Sequence, residues 1–454
     1  MQSSALRLLH KSLSRQPSPV TRCQCRKLSV LAQQVERAIK SRPEPIPIQH
    51  ESHTARQLSD PYILVASELT HIRNSMLNLL GAAHPGLAGM AEYYFLHPSK
   101  QLRSLLVLLF ARATNGLGDQ WVRKGWDAAC ETSSGQSEER DRPLTLPSIL
   151  NEWNLAMKDD TASFASVFAL SQSMPRPNPP PPPPSARISN PLSPRLALPP
   201  TLLPSQVRLA QIVEMIHVAS LLHDNIVQTA EEEKEGFGNK LSILGGDFLL
   251  GRASTALSRL GEMEVVELVA SVISNQVEGE FLRMEEIKTP DLGLASGPTT
   301  LTSSWEVYLR KTYLKTASLM AKGARSAVIL GGCQEGDIWK EAAYAYGRNL
   351  GIAHQLLEDS EGIKDLQPGL ATAPALFAAE ENLDLLTMIQ RNFMAPGDPA
   401  RAMKYIRQTS AIERTRLLAR AYADKAREAL HYLPESESKL ALRALTDVVI
   451  NQSW

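Results

Sequence analysis

Apolar residues recur at intervals of three and four positions from about residue 61, which is the spacing of one face of an α-helix. The members of this first series are Leu64, Leu69, Ile72, Met76, Leu79 and Leu80. A second, leucine-rich segment extends from Tyr93 to Thr114. Together the two patterns predict that residues 58–115 form the N-terminal helices of a helical bundle.

The helical pattern then stops, and residues 116–204 are rich in proline, serine and polar residues. The run from Pro179 to Pro184 lacks backbone donors and favours polyproline II, so it cannot lie inside a packed helix. This stretch is therefore predicted to be a long, mostly disordered insertion. Such a run can also bind an SH3-like or profilin-like partner, although a tolerated loop is the simpler interpretation.

Helical periodicity resumes at Ser205 and continues, with breaks, to about Leu433. Aromatic residues make up only 6% of the chain, and no alternating β-branched segment stands out. We therefore predict an all-α protein in which residues 205–454 form the main helical bundle and the proline-rich loop interrupts it.

The composition excludes several classes of protein. The 454 residues include 48 basic and 48 acidic side chains, so the overall charge gives no reason to expect a nucleic acid partner. Four cysteines are too few and too scattered for a disulfide framework or a four-cysteine zinc site. No uncharged apolar run reaches the roughly 18 residues of a transmembrane helix, so no membrane span is predicted.

The first 35 residues contain no Asp or Glu. Their basic residues are Arg7, Lys11, Arg15, Arg22, Arg26 and Lys27. Serines and leucines lie between these charges, a composition typical of a mitochondrial presequence, although a disordered basic tail would look similar. We predict that residues 1–40 are a presequence and that the protein is mitochondrial. The matrix is the expected compartment, and peripheral association with the inner membrane stays open.

The most informative helical segment extends from Glu214 to Gln228. On a helix, steps of three and four residues place His217, Asp224 and Gln228 on one face. A histidine and a carboxylate on an otherwise apolar helix are costly to bury without a partner. From spacing alone they could be a structural pair in the core or part of a site.

A second helical segment, from Tyr344 to Glu361, ends in Gln355, Glu358 and Asp359. Acidic residues at the end of a helix oppose its dipole, which is unfavourable unless a cation is near. Two separate acidic helix segments indicate a site for a divalent metal and a diphosphate. Mg²⁺ prefers such oxygen ligands and commonly bridges one or two carboxylates to substrate phosphates.

Residues 205–360 resemble the trans-polyprenyl diphosphate synthases, in particular the fungal mitochondrial enzymes that make the ubiquinone side chain. The similarity rests on the segments 237–250, 313–320 and 344–355, and it extends back to Tyr93 and forward to Leu430. It implies an isoprenoid-synthase-type helical bundle around an apolar channel. It also implies a reaction in which an allylic diphosphate loses its diphosphate and is attacked by isopentenyl diphosphate.

The resemblance implies a role for each matching residue. Isopentenyl diphosphate would be bound by Lys100, Arg103 and His217, and the allylic diphosphate by Lys315, Thr316 and Gln355. Catalytic carboxylates that hold Mg²⁺ would be Asp224, Glu358 and Asp359. Without the resemblance, Lys100, Arg103 and Lys315 would pass for solvated surface charges.

The first acidic motif departs from the family pattern of Asp-Asp-x-x-Asp. It reads Asp-Asn-Ile-Val-Gln over residues 224–228, so one of three carboxylates remains. The arginine pair that normally follows is replaced by the acidic stretch 231–235. Negative charge in that position would repel a diphosphate, so the resemblance implies a weakened Mg²⁺ site.

The second acidic motif reads Glu-Asp-Ser-Glu-Gly over residues 358–362 and lacks the final Asp. The loop after it is shorter than in the family, and Lys364 would have to replace a lysine that reaches the allylic diphosphate. Electrostatic groups of this kind each contribute roughly 3 kcal/mol to a transition state. Several such losses would slow catalysis by orders of magnitude, even if their effects are far from additive.

Three functions are compatible with this pattern. The chain could be a prenyltransferase that condenses an allylic diphosphate with isopentenyl diphosphate for the ubiquinone side chain. It could be an impaired homologue that regulates or stabilises an active synthase as a non-catalytic subunit. It could also be repurposed in specialised isoprenoid metabolism. The family implies a homodimer or a heterodimer, and an error in the gene model around residues 228–236 and 360–366 would give the same motif damage.

We predict that the mature protein in mitochondria lacks roughly the first 30 to 40 residues, because the acid-free, arginine-bearing start is typical of a cleaved presequence. Mass spectrometry of the N-terminal peptide of the protein isolated from cells checks this. An intact Met1 on the mitochondrial protein would contradict it.

Overall fold

The computed structural model describes nine parts of the chain. These are residues 60–81, 85–96, 101–133, 202–224, 238–286, 301–361, 371–391, 393 and 395–451. The predicted presequence, residues 1–40, therefore lies outside the described residues, as do Lys100, Asn225, Gln228 and Lys364.

The described residues are helical, and no strand occurs among them, which confirms the all-α prediction. The N-terminal helices are α1 Ala66–Leu80, α2 Pro85–Leu96, α3 Leu102–Thr114 and α4 Trp121–Ser133. The central helices are α5 Pro204–Asp224, α6 Asn239–Ser258, α7 Met263–Glu286, α8 Leu301–Thr312, α9 Ser318–Leu330 and α10 Ile338–Glu361. The C-terminal helices are α11 Ala373–Glu381, α12 Leu383–Gln390, α13 Asp398–Gln408, α14 Ala411–Ala429 and α15 Glu437–Asn451.

The core is built around helices that are buried on nearly every side. In α3 every residue from Ser104 to Ala111 is buried, and in α5 the buried positions extend almost without a break from Ser205 to Met215 and Ile216. Because α3 is apolar on nearly every side, it has no face to offer to water and must lie inside a bundle. Accordingly α3 and α5 pack against each other and both contact α9, while α10 lies between α9 and α14.

The first predicted helix is confirmed, and its apolar series does face the core. Leu69, Ile72, Met76 and Leu79 are all buried on α1. The second leucine-rich segment, from Tyr93 to Thr114, is divided between α2 and α3. Gln101, in the left-handed region with a φ of 42°, directly precedes α3, so the chain changes direction there.

The first part of the predicted insertion at residues 116–204 is folded. Residues 121–133 form α4, and Lys124 on this helix donates to Glu262 at 2.8 Å. The chain before α4 is also fixed, since Gln120 N donates to the carbonyl of Gly332 at 3.2 Å. At the other end Pro204 is already the first residue of α5, a position where the missing N–H of proline costs nothing. The proline run lies outside the described residues.

Two glycines of α10 set its distance from α9. A Cβ on Gly347 would lie 2.5 Å from the carbonyl oxygen of Met320, and one on Gly351 would lie 2.6 Å from Ala317 Cα. Both contacts are with backbone, which cannot rotate away. The two helices therefore approach as closely as they do only because these positions carry no side chain.

A five-residue π-helical turn, Tyr313–Ala317, joins α8 to α9. Such turns insert an extra residue into the helical ladder and are frequent at functional sites. This turn presents Lys315 and Thr316, two of the residues that sequence similarity singles out. Among the described helices, none is long and apolar enough to cross a membrane.

We expect Gly351→Ala to destabilise the fold by about 1–3 kcal/mol, the usual cost of overpacking a core, because its methyl group must push α9 and α10 apart. Urea unfolding followed by circular dichroism measures this. The control is Gly125→Ala on α4, where nothing lies within 4 Å of an added Cβ. That variant should be unchanged or slightly more stable, since alanine favours helix. Equal stabilities of the two variants would contradict the prediction.

Candidate active site

Four structural features bring the described site residues together. The first turn of α3 carries Arg103, and the C-terminal half of α5 carries His217 and Asp224. The π-helical turn carries Lys315 and Thr316, and the last two turns of α10 carry the remaining three, Gln355, Glu358 and Asp359. Hydrogen bonds and charge interactions link these residues into two groups.

The first group is formed by Arg103 and His217, whose Nη1 and Nε2 atoms are 2.9 Å apart. A guanidinium can only donate, so Nε2 of the imidazole accepts and its proton resides on Nδ1. The pKa of His217 is held well below 6.5, first by burial and then by the positive charge of Arg103. His217 is thus a neutral partner beside a cation, and the alternative of a buried pair with Asp224 is not what the structure shows.

Glu214 lies one helical turn before His217 and provides negative charge behind the pair. It is buried, and it accepts a hydrogen bond from Ser104 Oγ at 3.1 Å. Burial raises the pKa of Glu214, while Arg103 and the Ser104 hydroxyl act in the opposite direction. Burial likewise lowers the pKa of the Arg103 guanidinium, which Glu214 and Glu358 oppose. Arg103 is therefore a cation held inside the bundle with carboxylates as counter-charges.

The second group begins at Lys315, whose Nζ donates to two carboxylates from different helices. It lies 2.8 Å from Asp224 Oδ1 and 2.7 Å from Glu280 Oε2. Asp224 ends α5 and Glu280 belongs to α7, so the ammonium joins three elements of the bundle. The predicted metal ligand Asp224 and the predicted phosphate ligand Lys315 therefore bind each other.

A chain of hydrogen bonds extends from Thr316 to the end of α10. Thr316 Oγ1 donates to Gln355 Oε1 at 2.8 Å, and Gln355 Nε2 donates to Asp359 Oδ1 at 3.0 Å. The other oxygen of Asp359 accepts from the hydroxyl of Tyr308 at 2.7 Å and from Ala373 N at 3.3 Å. Burial and the Asp359 charge raise the pKa of Tyr308, which keeps its hydroxyl a donor.

Glu358 and Asp359 point in different directions, as consecutive helical residues must. Asp359 faces Tyr308, whereas Glu358 Oε1 lies 3.6 Å from His354 Nε2 and is close enough to Arg103 to influence its pKa. Glu358 therefore belongs electrostatically with the Arg103 group. The two predicted metal ligands of α10 do not converge on one point.

The described residues contain no preformed cluster of metal ligands. No group of three or more His, Cys, Asp or Glu side chains is placed to hold a metal within the part of the chain that the structure describes. Asp224 faces the ammonium of Lys315, and both oxygens of Asp359 accept hydrogen bonds from the protein. The roles of Asp224, Glu358 and Asp359 as metal ligands remain predictions, and positions 225–237 and 362–370 lie outside the described residues.

Sequence reasoning did not single out Glu214, Glu280 or Tyr308. Glu214 lies three residues before His217, so the spacing that grouped His217 with Asp224 could have found it. Glu280 and Tyr308 lie on α7 and α8. No periodicity within one helix could have tied them to Lys315 or Asp359, because the contacts are between helices.

Helices that bring cations and carboxylates together inside an all-α bundle are the architecture of the isoprenoid synthases, and the fold places the chain in this class. Residues 192–406 match the Polyprenyl synthetase family model. The chain is 37% identical to the "Probable hexaprenyl pyrophosphate synthase, mitochondrial" of Yarrowia lipolytica, covering 88% of this chain and 86% of the relative. It is 32% identical to the "Hexaprenyl pyrophosphate synthase, mitochondrial" of Saccharomyces cerevisiae, covering 87% of this chain and 91% of the relative. The chain therefore belongs to the polyprenyl synthetase family.

Another relative and a solved structure are also similar to the chain over most of their length. The chain is 33% identical to the "Decaprenyl-diphosphate synthase subunit 1" of Schizosaccharomyces pombe, covering 86% of this chain and 90% of the relative. Its fold is similar to that of a polyprenyl synthase from Caulobacter crescentus complexed with calcium and isoprenyl diphosphate. That match has a TM-score of 0.57 at 22% identity and covers 87% of this chain and 98% of the other. The named mitochondrial relatives confirm the predicted mitochondrial localisation.

We expect the stability of the protein to fall as the pH drops through about 6.5, in part because His217 stays neutral when folded. Its folded-state pKa is depressed, so below about 6.5 the unfolded chain binds the extra proton and stability is lost. Urea unfolding of the wild type and of His217→Gln at about pH 7.5 and about pH 5.5 measures this, with a difference in slope of up to about 1.4 kcal/mol per pH unit.

The comparison between the two proteins isolates the histidine. Glu214 has a raised pKa, so protonation of its carboxyl group affects stability in the opposite direction as the pH falls. That contribution is common to both proteins and cancels in the difference. Identical pH dependence of wild type and variant would contradict the assignment.

Proposed function

We propose that the chain is a polyprenyl diphosphate synthase-type prenyltransferase that joins an allylic diphosphate to isopentenyl diphosphate for the ubiquinone side chain. The observation that carries this is the Arg103–His217 pair, a partly exposed cation and a neutral imidazole held 2.9 Å apart inside a polyprenyl synthetase bundle. The printed names of the relatives, hexaprenyl and decaprenyl synthases, support a long polyprenyl product.

Isopentenyl diphosphate is the substrate we assign to Arg103 and His217. A guanidinium offers paired N–H donors whose geometry matches phosphate oxygens, and its charge persists at any physiological pH. The Nδ1–H of His217 adds a donor once Nε2 accepts from Arg103. Lys100 completes this set as a prediction, since it lies outside the described residues. The role of these residues is to bind and orient the substrate that attacks.

The allylic diphosphate is assigned to Lys315, Thr316 and Gln355. Thr316 is buried and donates a 2.8 Å hydrogen bond to Gln355. This contact fixes the position of the π-helical turn relative to α10. Lys315 carries the positive charge. Within the described part of the chain, two of its three N–H donors bind carboxylates, so the third can bind an oxygen of the diphosphate.

Use of Mg²⁺ is a property of this family, and we propose that it is weak in this chain. The first acidic motif keeps Asp224 alone, with Asn225 and Gln228 in the positions of carboxylates. Asp224 is in turn bound to Lys315. Metal, when bound, would stabilise the negative charge of the departing diphosphate. Every carboxylate that is lost weakens the attraction of the site for the metal. Slow turnover follows.

A non-catalytic subunit is the second candidate function. The relative from Schizosaccharomyces pombe carries "subunit 1" in its name, so a related chain of similar length works as part of a larger enzyme. The engaged carboxylates and the acidic stretch 231–235 favour a chain that binds substrate but depends on a partner for chemistry. A homodimer and a heterodimer with an active synthase are both open, as is a role in specialised isoprenoid metabolism.

We predict very low turnover for the purified chain with Mg²⁺, although isopentenyl diphosphate should still bind. The double substitution Asn225→Asp and Gln228→Asp should help little by itself, because the arginine pair would still be missing. The same double substitution, combined with arginines at two positions within residues 231–233, should raise turnover more than tenfold. That factor corresponds to lowering the barrier by more than about 1.4 kcal/mol. The measurement is incorporation of labelled isopentenyl diphosphate into apolar product.

Two controls separate the candidate functions. Arg103→Gln should abolish binding of isopentenyl diphosphate in every background, which ties the signal to the assigned site. Co-expression with an active synthase should raise turnover above that of the synthase alone only if the chain is a subunit. Turnover of around 1 per second by the wild-type chain alone, at the low end for ordinary enzymes, would show that the metal site is not impaired.

A further inference from the structure

The stem of Lys315 crosses α7 at a glycine. A Cβ on Gly279 would lie 2.6 Å from Lys315 Cγ and 3.2 Å from Leu314 Cβ. The first of these distances is shorter than side chains tolerate, so any residue other than glycine would displace the lysine stem or the π-helical turn that carries it. Gly279 thus provides the space through which Lys315 reaches the site.

The neighbouring residue holds the other end of the same side chain. Glu280 Oε2 accepts from Lys315 Nζ at 2.7 Å, and the carboxylate is about one-third exposed. Charge-assisted hydrogen bonds of this length are the strong ones among protein hydrogen bonds. Consecutive residues of one helix therefore contact the stem and the ammonium of the same lysine.

The acidic residue two positions earlier serves as a comparison on the same helix. Glu278 lies 3.7 Å from Arg310 and both side chains are largely exposed, so it points away from Lys315. Residues 279 and 280 therefore lie on the side of α7 that faces the π-helical turn, whereas Glu278 lies on another side. The placement follows from the 100° step between successive helical residues.

We propose that Gly279 and Glu280 form a seat for Lys315 that positions its ammonium for the allylic diphosphate. Its effect on substrate binding rests on the proposed function, whereas the seat itself does not. The two are positioning residues, since they act through the lysine. A lysine side chain has four rotatable bonds, and fixing it before the substrate arrives removes an entropic cost from binding. Without the seat, Asp224 would be the one remaining partner of the ammonium among the residues that the structure describes.

The seat can be tested without any ligand. Competitive labelling with an amine reagent, read by mass spectrometry at Lys315, reports how accessible and how mobile the ammonium is. Gly279→Ala and Glu280→Gln should each increase labelling of Lys315 about fivefold or more, in line with the loss of a hydrogen bond to a charged group. The matched controls are Gly251→Ala, where nothing lies within 4 Å, and Glu278→Gln. Neither control should change the labelling.

The consequence for binding is measured with farnesyl diphosphate as the allylic probe and with isopentenyl diphosphate as the reference. Both seat variants should weaken farnesyl diphosphate about tenfold, as expected for one lost charge-assisted interaction, and leave isopentenyl diphosphate unchanged. Both controls should bind the two compounds as the wild type does. Glu280→Gln is isosteric, so it decides the outcome if Gly279→Ala does not fold.

Unchanged labelling of Lys315 in the seat variants would overturn the inference. Increased labelling with unchanged affinity for farnesyl diphosphate would overturn the positioning role. If the wild-type chain itself binds no farnesyl diphosphate, the proposed function fails, and the labelling alone decides for or against the seat.

Discussion

The close approach of α9 and α10 is the constraint on which the site depends. Gly347 and Gly351 bring the backbone of α10 against the backbone of α9 and of the π-helical turn before it. At that separation Thr316 reaches Gln355, and Gln355 reaches Asp359 one helical turn further on. Close packing of this kind yields little to an added side chain, because protein interiors are packed as densely as crystals of small organic molecules. A side chain at either glycine would therefore break the register of the polar chain.

Electrostatics inside the bundle follow one rule throughout the described residues. Each cation that faces the site is already accompanied by carboxylates, Arg103 by Glu214 and Glu358 and Lys315 by Asp224 and Glu280. A cation without counter-charges would be costly inside a helical bundle, so the resting state must neutralise it internally. A diphosphate that binds such a site meets cations that the protein carboxylates already hold in place. Its affinity then depends on how each cation is held, so a single charge change shifts it markedly.

This pairing of charges is the reason that we propose a large effect for the altered acidic motif. With three carboxylates in the first motif, a divalent cation could hold some of them and leave the lysine available. With Asp224 alone, the Lys315 ammonium can neutralise the remaining carboxylate by itself. In the described residues it donates a hydrogen bond to Asp224. The chain thus keeps the bundle of the polyprenyl synthetase family and the cations that match the family pattern. The weak metal site that we propose concerns catalytic strength and not membership in the family.

The sequence by itself determined the all-α class, the helix that carries Leu69, Ile72 and Met76, and the identity of the residues that match the family. Periodicity is a property of one helix, so it predicts which face is apolar and where polar residues interrupt it. The membership of α4 in the bundle was decided only by the tertiary structure, since its contacts are with Glu262 and Gly332, far away in the chain.

The tertiary structure also decided every partner within the site. Nothing in the spacing of α5 indicates that His217 pairs with Arg103 on α3 while Asp224 pairs with Lys315. Likewise, Gly279 and Glu280 became part of the site only when α7 was packed against the π-helical turn. The physical reason is that a helix fixes the direction of its side chains but not the neighbour they meet. That neighbour is set by how helices pack, which depends on the whole bundle.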